Sequence, residues 1–120
     1  MEKIWLCALA DIEDGNSRGF DPFDRGRDSL FLVRKGLQIF AWRNACPHRG
    51  YEGSTMAWRK NAYLNSHRNR IICSSHGAQF HIETGECLAG PCLGQRLEPV
   101  SVQIDKSNQI YWLINNMQEN

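Results

Sequence analysis

Cys46-Pro47-His48-Arg49-Gly50 and Cys73-Ser74-Ser75-His76-Gly77 are the two stretches of this sequence that decide its fold, and 24 residues lie between His48 and Cys73. Each stretch offers one thiolate and one imidazole. Thiolates suit iron–sulfur clusters and zinc, whereas imidazole suits zinc, copper and iron. The ligand types alone therefore leave a zinc ion and an iron–sulfur cluster both open.

The spacing inside the first stretch favours two metal ions. A Cys-x-His pair in extended chain has its Cα atoms roughly 6.6 Å apart, at about 3.3 Å per residue. This spacing suits a loop that presents sulfur and nitrogen to different metals. A cluster with one iron on two cysteines and the other on two histidines has the Rieske arrangement.

Residues beyond the two stretches extend the pattern. The second stretch continues as Ala78-Gln79-Phe80, and Thr84-Gly85-Glu86 and Gly90-Pro91 follow it. Together with the doubled signature Cys-x-His-x-Gly and Cys-x-x-His-Gly, these residues resemble the Rieske ferredoxin family. The resemblance covers the chain from about Leu37 to Ile114.

The resemblance implies a cofactor and its ligands. It implies one [2Fe–2S] cluster per chain, with Cys46 and Cys73 on the inner iron and His48 and His76 on the outer iron near solvent. It also implies that Gly90-Pro91 covers the cluster as a third loop.

Two glycines fit this arrangement, and one insertion departs from the family pattern. Gly50 and Gly77 have a physical role there, because glycine lets backbone N–H groups approach the sulfides and adopts positive φ in tight loops. Residues 52–70 include an insertion of several residues relative to many members of the family. The insertion leaves the ligands in place but changes the shape around them.

The expected fold is all-β. The resemblance implies the Rieske (ISP-like) fold. This fold is an antiparallel β-barrel or sandwich with an inserted cluster-binding subdomain, here at about residues 44–91. We expect residues 1–120 to form a single Rieske domain, because 120 residues suffice for one core and leave no room for a full catalytic domain.

The order of apolar and turn-forming residues predicts many short strands. The first strand is expected at Ile4–Leu9, and a polar, glycine-containing loop at 11–28. A weak helix candidate lies at 52–60, where Ser54 is the candidate N-cap.

Two hairpins are predicted from their turns. Lys35-Gly36 separates two apolar runs, and the residues 105–108 separate a cleanly alternating run from a final apolar run. The four predicted hairpin strands are Leu30–Val33, Leu37–Trp42, Val100–Ile104 and Gln109–Ile114.

Composition narrows the possible partners and compartment. The chain has 14 basic and 13 acidic residues and a formal net charge of +1, so no overall field favours nucleic acid or anionic membranes. The apolar run 4–10 follows a single lysine and meets acidic residues, unlike a signal peptide, and no run is long enough for a spanning helix. We expect a cytoplasmic protein with no nucleic-acid partner and no membrane span.

The positions next to the cluster loops indicate a low reduction potential. By resemblance, high-potential Rieske proteins carry a disulfide between the loops, and they carry Ser and Tyr hydroxyls that donate to cluster sulfur and ligand sulfur. The corresponding residues here are Tyr51 and Ser75, then Ala78 and Phe80. Without these donors we expect a potential of about −150 mV, the low end of the Rieske range.

The remaining cysteines and histidines have ordinary interpretations. Cys87 and Cys92 could pair or bind a second metal, but we expect reduced, buried residues that pack the third loop over the cluster. Cys7 fits core packing in a strand. His67 is expected in a polar turn and His81 in a strand beside the cluster loop, and both are expected to be structural or surface residues and not ligands of a mononuclear iron.

The segment between the two cysteine stretches is basic. It carries five cations and a single acid, Glu52, so it forms either a positive rim that attracts an acidic redox partner or an ordinary solvated loop. The five cations are Arg49, Arg59, Lys60, Arg68 and Arg70.

These observations predict a soluble one-electron carrier that makes no substrate bond itself. Its expected partners are redox proteins, a reductase, an oxygenase or both. One alternative is a ferredoxin component or small subunit of a multicomponent oxygenase or reductase. A second is a metal-binding or sensing module without redox function.

Overall fold

The fold consists almost entirely of β-structure. The computed structural model describes residues 2–47, 56–57, 59–74 and 77–114. A short 3-10 helix, Leu9–Asp11, follows the first strand, and the described ranges contain no α-helix. Nine strands lie in these ranges: β1 Glu2–Ala8, β2 Ser17–Phe20, β3 Leu30–Lys35, β4 Gln38–Arg43, β5 Ile71–Cys73, β6 Ala78–Phe80, β7 Cys87–Ala89, β8 Val102–Ile104 and β9 Gln109–Ile114. The all-β prediction is confirmed.

The strands form three antiparallel sheets of three strands each, in the orders β1-β9-β8, β2-β3-β4 and β5-β6-β7. The third sheet comes from residues 71–89 and so lies within the segment expected to bind the cluster. An isolated bridge from Trp42 to Pro99 connects the end of β4 with the chain that leads to β8.

β3 is buried on both faces. Its residues Leu30 to Val33 are at most 1% exposed. Because side chains alternate along a strand, Leu30 and Leu32 pack in one apolar cluster, and Phe31 and Val33 pack in another. The second sheet therefore separates two cores. The core of Leu30 is termed the basal core, and the core of Phe31, which also contains Cys46 and Cys73, is termed the distal core.

Both predicted hairpins are present. β3 pairs with β4 from Leu30↔Arg43 to Lys35↔Gln38, and Gly36 occupies the turn with a φ of 64°. β8 pairs with β9, and the Asp105 carboxylate accepts hydrogen bonds from two backbone N–H groups in the turn between them. Leu37 lies in the first turn, one residue before β4, and is 77% exposed.

The predicted polar loop at 11–28 was wrong over four residues, because it contains β2, which pairs with β3 from Ser17↔Val33 to Phe20↔Leu30. Gly19 indicated a loop, but here its lack of a side chain serves close packing within a strand. A Cβ atom at Gly19 would overlap the Asp28 carboxylate and come 2.8 Å from the Tyr63 hydroxyl oxygen.

The helix candidate at 52–60 lies largely outside the described residues. Met56, Ala57, Arg59 and Lys60 are described, and none of them is helical. Among the described residues no helix is long and apolar enough to cross a membrane.

The Asp28 carboxylate connects the chain just before β3 to the segment before β5. The Tyr63 hydroxyl donates to it at 2.8 Å, and the Lys60 ammonium group donates at 2.5 Å. Burial, reinforced by the hydrogen bond to Asp28, raises the pKa of Tyr63 well above its usual value, so the phenol keeps the proton that it donates. The Tyr63 ring also stacks on Phe31, with centroids 4.1 Å apart and planes at 6°.

Replacing Gly19 by alanine tests this packing. Gly19→Ala is expected to lower the free energy of unfolding by about 1–3 kcal/mol, because the new methyl group displaces a carboxylate that is held by two hydrogen bonds. Urea denaturation of the variant and the parent protein measures the difference.

The control is the same substitution in an Asp28→Ala background. Without the carboxylate, Gly19→Ala should lower the free energy of unfolding by clearly less. The double-mutant cycle then gives a coupling energy between positions 19 and 28. Equal costs in the two backgrounds would show that Gly19 is not required by contact with Asp28.

Candidate metal centre

Cys46 lies three residues after β4, in a turn fixed by the backbone. The Arg43 N–H donates to Glu98 O at 2.9 Å, and the Asn44 N–H donates to Ser29 O at 3.1 Å. The Cys46 side chain is fully buried in the distal core. The first cysteine of the predicted ligand set is therefore held on a rigid support.

Asn44 connects this turn to two other segments. Its side chain is buried, and its Nδ2 donates to Asp28 O at 3.0 Å, while its Oδ1 accepts from the Met56 N–H at 2.8 Å. Both halves of the amide are thus satisfied, as a buried side-chain amide requires. Asn44 fixes where the chain returns after the first ligand stretch.

Cys73 is the last residue of β5 and is also fully buried in the distal core. It pairs with Ala78 across the turn to β6, and its carbonyl oxygen accepts from the Gly77 N–H at 2.8 Å. Gly77 has a φ of 71°, which confirms the expected left-handed glycine, although its N–H group is used to close the turn. Gly50 lies outside the described residues.

The backbone of Met56 joins the two cysteine segments. Its N–H group donates to Asn44, and its carbonyl oxygen accepts from the Ser74 N–H at 2.8 Å. Met56 itself is fully buried. One peptide segment therefore sets the position of the residue after Cys73 relative to the turn before Cys46, a link that spans too many residues to be seen as a sequence motif.

Two buried thiols in one apolar core fit an iron–sulfur cluster, because thiolate ligands are soft and a dry surrounding protects the sulfur. His48 and His76 lie outside the described residues, so the structure does not place them. No group of three or more potential ligands occurs among the described residues.

The predicted third loop packs against β6. A Cβ atom on Gly90, whose φ is 102°, would come 2.8 Å from the Ala78 Cα atom. Only glycine allows this approach. Leu88 and Leu93, on either side of Gly90-Pro91, are 39% and 66% exposed.

Cys87 and Cys92 are both buried in the distal core, as predicted, and both are free thiols. Their sulfur atoms lie 2.8 Å apart. Burial raises the pKa of the Cys92 thiol to about 12, with further increases from the neighbouring thiols of Cys87 and Cys46. Cys92 therefore lies near Cys46, a predicted iron ligand, as expected for a cysteine in the loop over the cluster.

The residues next to the cluster loops, and the remaining cysteine and histidines, lie largely where the sequence predicted. Ala78 and Phe80 are fully buried in the distal core and carry no hydroxyl group. Cys7 packs in the basal core. His67 lies in an exposed turn. His81 is exposed, but the strand predicted for it was wrong, because β6 ends at Phe80 and His81 Nδ1 instead accepts from the Glu83 N–H at 3.2 Å.

The basic segment is partly engaged within the chain. Lys60 pairs with Asp28, Arg68 lies 3.9 Å from a Glu13 oxygen, and Arg70 donates to the Gln79 side chain at 2.7 Å. Arg49 lies outside the described residues. A positive rim for a redox partner remains a prediction.

Known proteins show which family has this sequence pattern. The family model "Rieske [2Fe-2S] domain" matches residues 2–109. The ferredoxin component of the alkene monooxygenase system of Xanthobacter autotrophicus is 28% identical over 98 residues, covering 78% of this chain and 70% of that protein. Mouse apoptosis-inducing factor 3 is 31% identical over 101 residues, which are 84% of this chain and only 15% of that protein.

A solved structure shares the fold. The ferredoxin of carbazole 1,9a-dioxygenase from Nocardioides aromaticivorans IC177 aligns with 96% of this chain and all of its own, with a TM-score of 0.69 and 21% identity. The fold agrees with the family that the sequence match identifies. This chain belongs to the Rieske [2Fe–2S] domain family and holds that family's single [2Fe–2S] cluster.

Proposed function

We propose that Cys46 and Cys73 bind one iron of the cluster and that His48 and His76 bind the other. Two observations support the cysteines: both thiols are fully buried in one core, and Met56 links the segments that carry them. The histidines follow from the spacing of the motifs and from the family.

The chain is an electron-transfer protein and not an enzyme in its own right. When bound, the cluster takes up and releases one electron at a time. The protein keeps the thiol side dry, since the residues of the distal core around Cys46 and Cys73 are buried. We propose that the histidine side faces solvent and is where electrons enter and leave.

The redox partners, an electron donor and an electron acceptor, are proposed from the relatives. The match to an alkene monooxygenase ferredoxin component carries the proposal that this chain passes electrons from a reductase to an oxygenase. We place it in the cytoplasm, and we propose one domain over residues 1–120 with a cluster-binding subdomain at about 44–91. Recovery of a flavin reductase or a non-haem iron oxygenase with the tagged protein from its own cells would support this chain of transfer.

The ligand set is tested by substitution. Cys46→Ser, Cys73→Ser, His48→Ala and His76→Ala are each expected to lose most bound iron and sulfide, because each removes one of the four protein ligands. Iron and sulfide analysis of protein purified without oxygen, with electron paramagnetic resonance after dithionite reduction, measures the loss.

The chain supplies matched controls. Cys7→Ser, His67→Ala and His81→Ala change the same residue types outside the proposed site and should keep two irons per chain. A full cluster in His48→Ala or His76→Ala would exclude that histidine. Zinc in place of iron in the parent protein would favour the module without redox function.

The reduction potential provides a separate test. The parent protein is expected near the low end of the Rieske range, at about −150 mV, because Ala78 and Phe80 offer no hydroxyl donor to sulfur. Ala78→Ser should raise the potential, since a hydrogen bond to sulfur stabilises the more negative reduced cluster. Protein-film voltammetry measures both values.

Cys7→Ser, in the basal core, is the control for this measurement and should leave the potential unchanged. A parent potential well above 0 mV, at the upper part of the range, would contradict the low-potential assignment.

A further inference from the structure

The loop that packs over β6 contains two adjacent thiols. The Cys87 and Cys92 sulfurs are 2.8 Å apart, longer than the roughly 2.05 Å of a disulfide bond. Both side chains are buried, at 6% and 1% exposure. The two sulfurs thus need only a small movement to bond.

The backbone holds the two residues in this arrangement. The Cys87 N–H donates to Gln95 O at 3.0 Å, and the Gln95 N–H donates to Cys92 O at 2.9 Å. The backbones of Glu86 and Arg96 form an isolated antiparallel β-bridge at the base of the same loop. The loop is therefore closed by main-chain contacts, and the proximity of the sulfurs does not depend on side-chain rotation alone.

We propose that Cys87 and Cys92 are an oxidative modification site, at which hydrogen peroxide converts the two thiols into a disulfide within the loop. Cys87 is the more exposed of the two, so peroxide oxidises it first to a sulfenic acid and leaves one water. The Cys92 thiol then displaces the hydroxyl group as a second water, and the sulfur–sulfur bond forms. Two electrons and two protons pass from the thiols to one peroxide.

The pairing is specific among the five cysteines. Cys7 lies in the basal core, on the other side of the second sheet, and cannot reach this loop without unfolding. Cys46 and Cys73 are assigned to iron in the proposed function. Cys92 therefore has Cys87 as the partner that is already in contact.

The bond would restrain the loop that covers the site. Gly90 and Pro91 lie between the two cysteines, and Gly90 packs directly against Ala78. A cross-link over so short a segment reduces the open conformations available to it. The restraint of the loop rests on the proposed function, in which this loop covers the cluster.

The modification is tested on the cluster-loaded full chain. The protein is treated with peroxide, denatured with iodoacetamide and cut after glutamate and arginine, which yields a peptide of residues 87–96 with Cys87 and Cys92 as its only cysteines. Before peroxide treatment we expect this peptide to carry two carbamidomethyl groups. After treatment we expect it to carry none and to be lighter than the unmodified dithiol peptide by the mass of two hydrogen atoms. Dithiothreitol should restore the first state.

The controls distinguish pairing from general oxidation. Cys87→Ser and Cys92→Ser should each abolish the disulfide, whereas Cys7→Ser should retain it. Unpaired, fully alkylated Cys87 and Cys92 after peroxide treatment would overturn the proposal, as would a sulfinic acid on Cys87 or a bond from Cys92 to Cys46. The visible spectrum of the untreated protein reports the cluster, so absence of the cluster is seen separately from absence of the disulfide.

The effect on the loop has its own readout. Loss of cluster absorption in the presence of a chelator is expected to be at least about threefold slower in the disulfide form than in the dithiol form. Equal rates in the two forms would overturn the restraint on the loop.

Discussion

Burial of β3 on both faces is the constraint on which the other elements depend. Four consecutive residues from Leu30 to Val33 are excluded from water, so apolar layers are needed above and below the same strand. Side-chain alternation sends Leu30 and Leu32 to the basal core and Phe31 and Val33 to the distal core. β3 therefore contributes side chains to both cores, and the distal core brings Cys46 and Cys73 into one dry environment.

The site depends on main-chain geometry as much as on its cysteines. Asn44 and Met56 together connect the turn before Cys46 with the residue after Cys73, and the Asp28 carbonyl group joins the same network. An unsatisfied buried amide costs about 1–3 kcal/mol, so these contacts fix one loop arrangement over its alternatives. Asn44 and Met56 therefore set the positions of the segments that carry Cys46 and Cys73, the proposed cysteine ligands.

Local chemistry explains what the sequence could predict. The turns at Gly36 and at 105–108 carry their own signals, and both hairpins have the expected pairing. The paired cysteine and histidine motifs identified the family, and burial of Cys46 and Cys73 agrees with their predicted role. His48 and His76 lie outside the described residues, and their role as ligands stays a prediction.

Contacts between distant residues explain what the sequence could not predict. Gly19 indicated a loop because the partner that requires a glycine there, Asp28, is recognised only after β2 and β3 pair. His81 follows a strand instead of belonging to it, since the short β6 ends at Phe80. The sequence raised a pairing of Cys87 with Cys92 only as an alternative, whereas the contact itself depends on backbone hydrogen bonds of both residues to Gln95.

The pairing of β1 with β9 has a consequence for how the chain folds. Trp5 donates to the Gln109 side chain across 104 positions of sequence, and Glu2 lies opposite Ile114. Closing so long a loop costs entropy before any contact in the first sheet offsets it. On a ribosome, Leu6 and Cys7 leave the exit tunnel with their partner strand still to be made, so the basal core is completed last and the hairpin of β3 and β4 can form long before it.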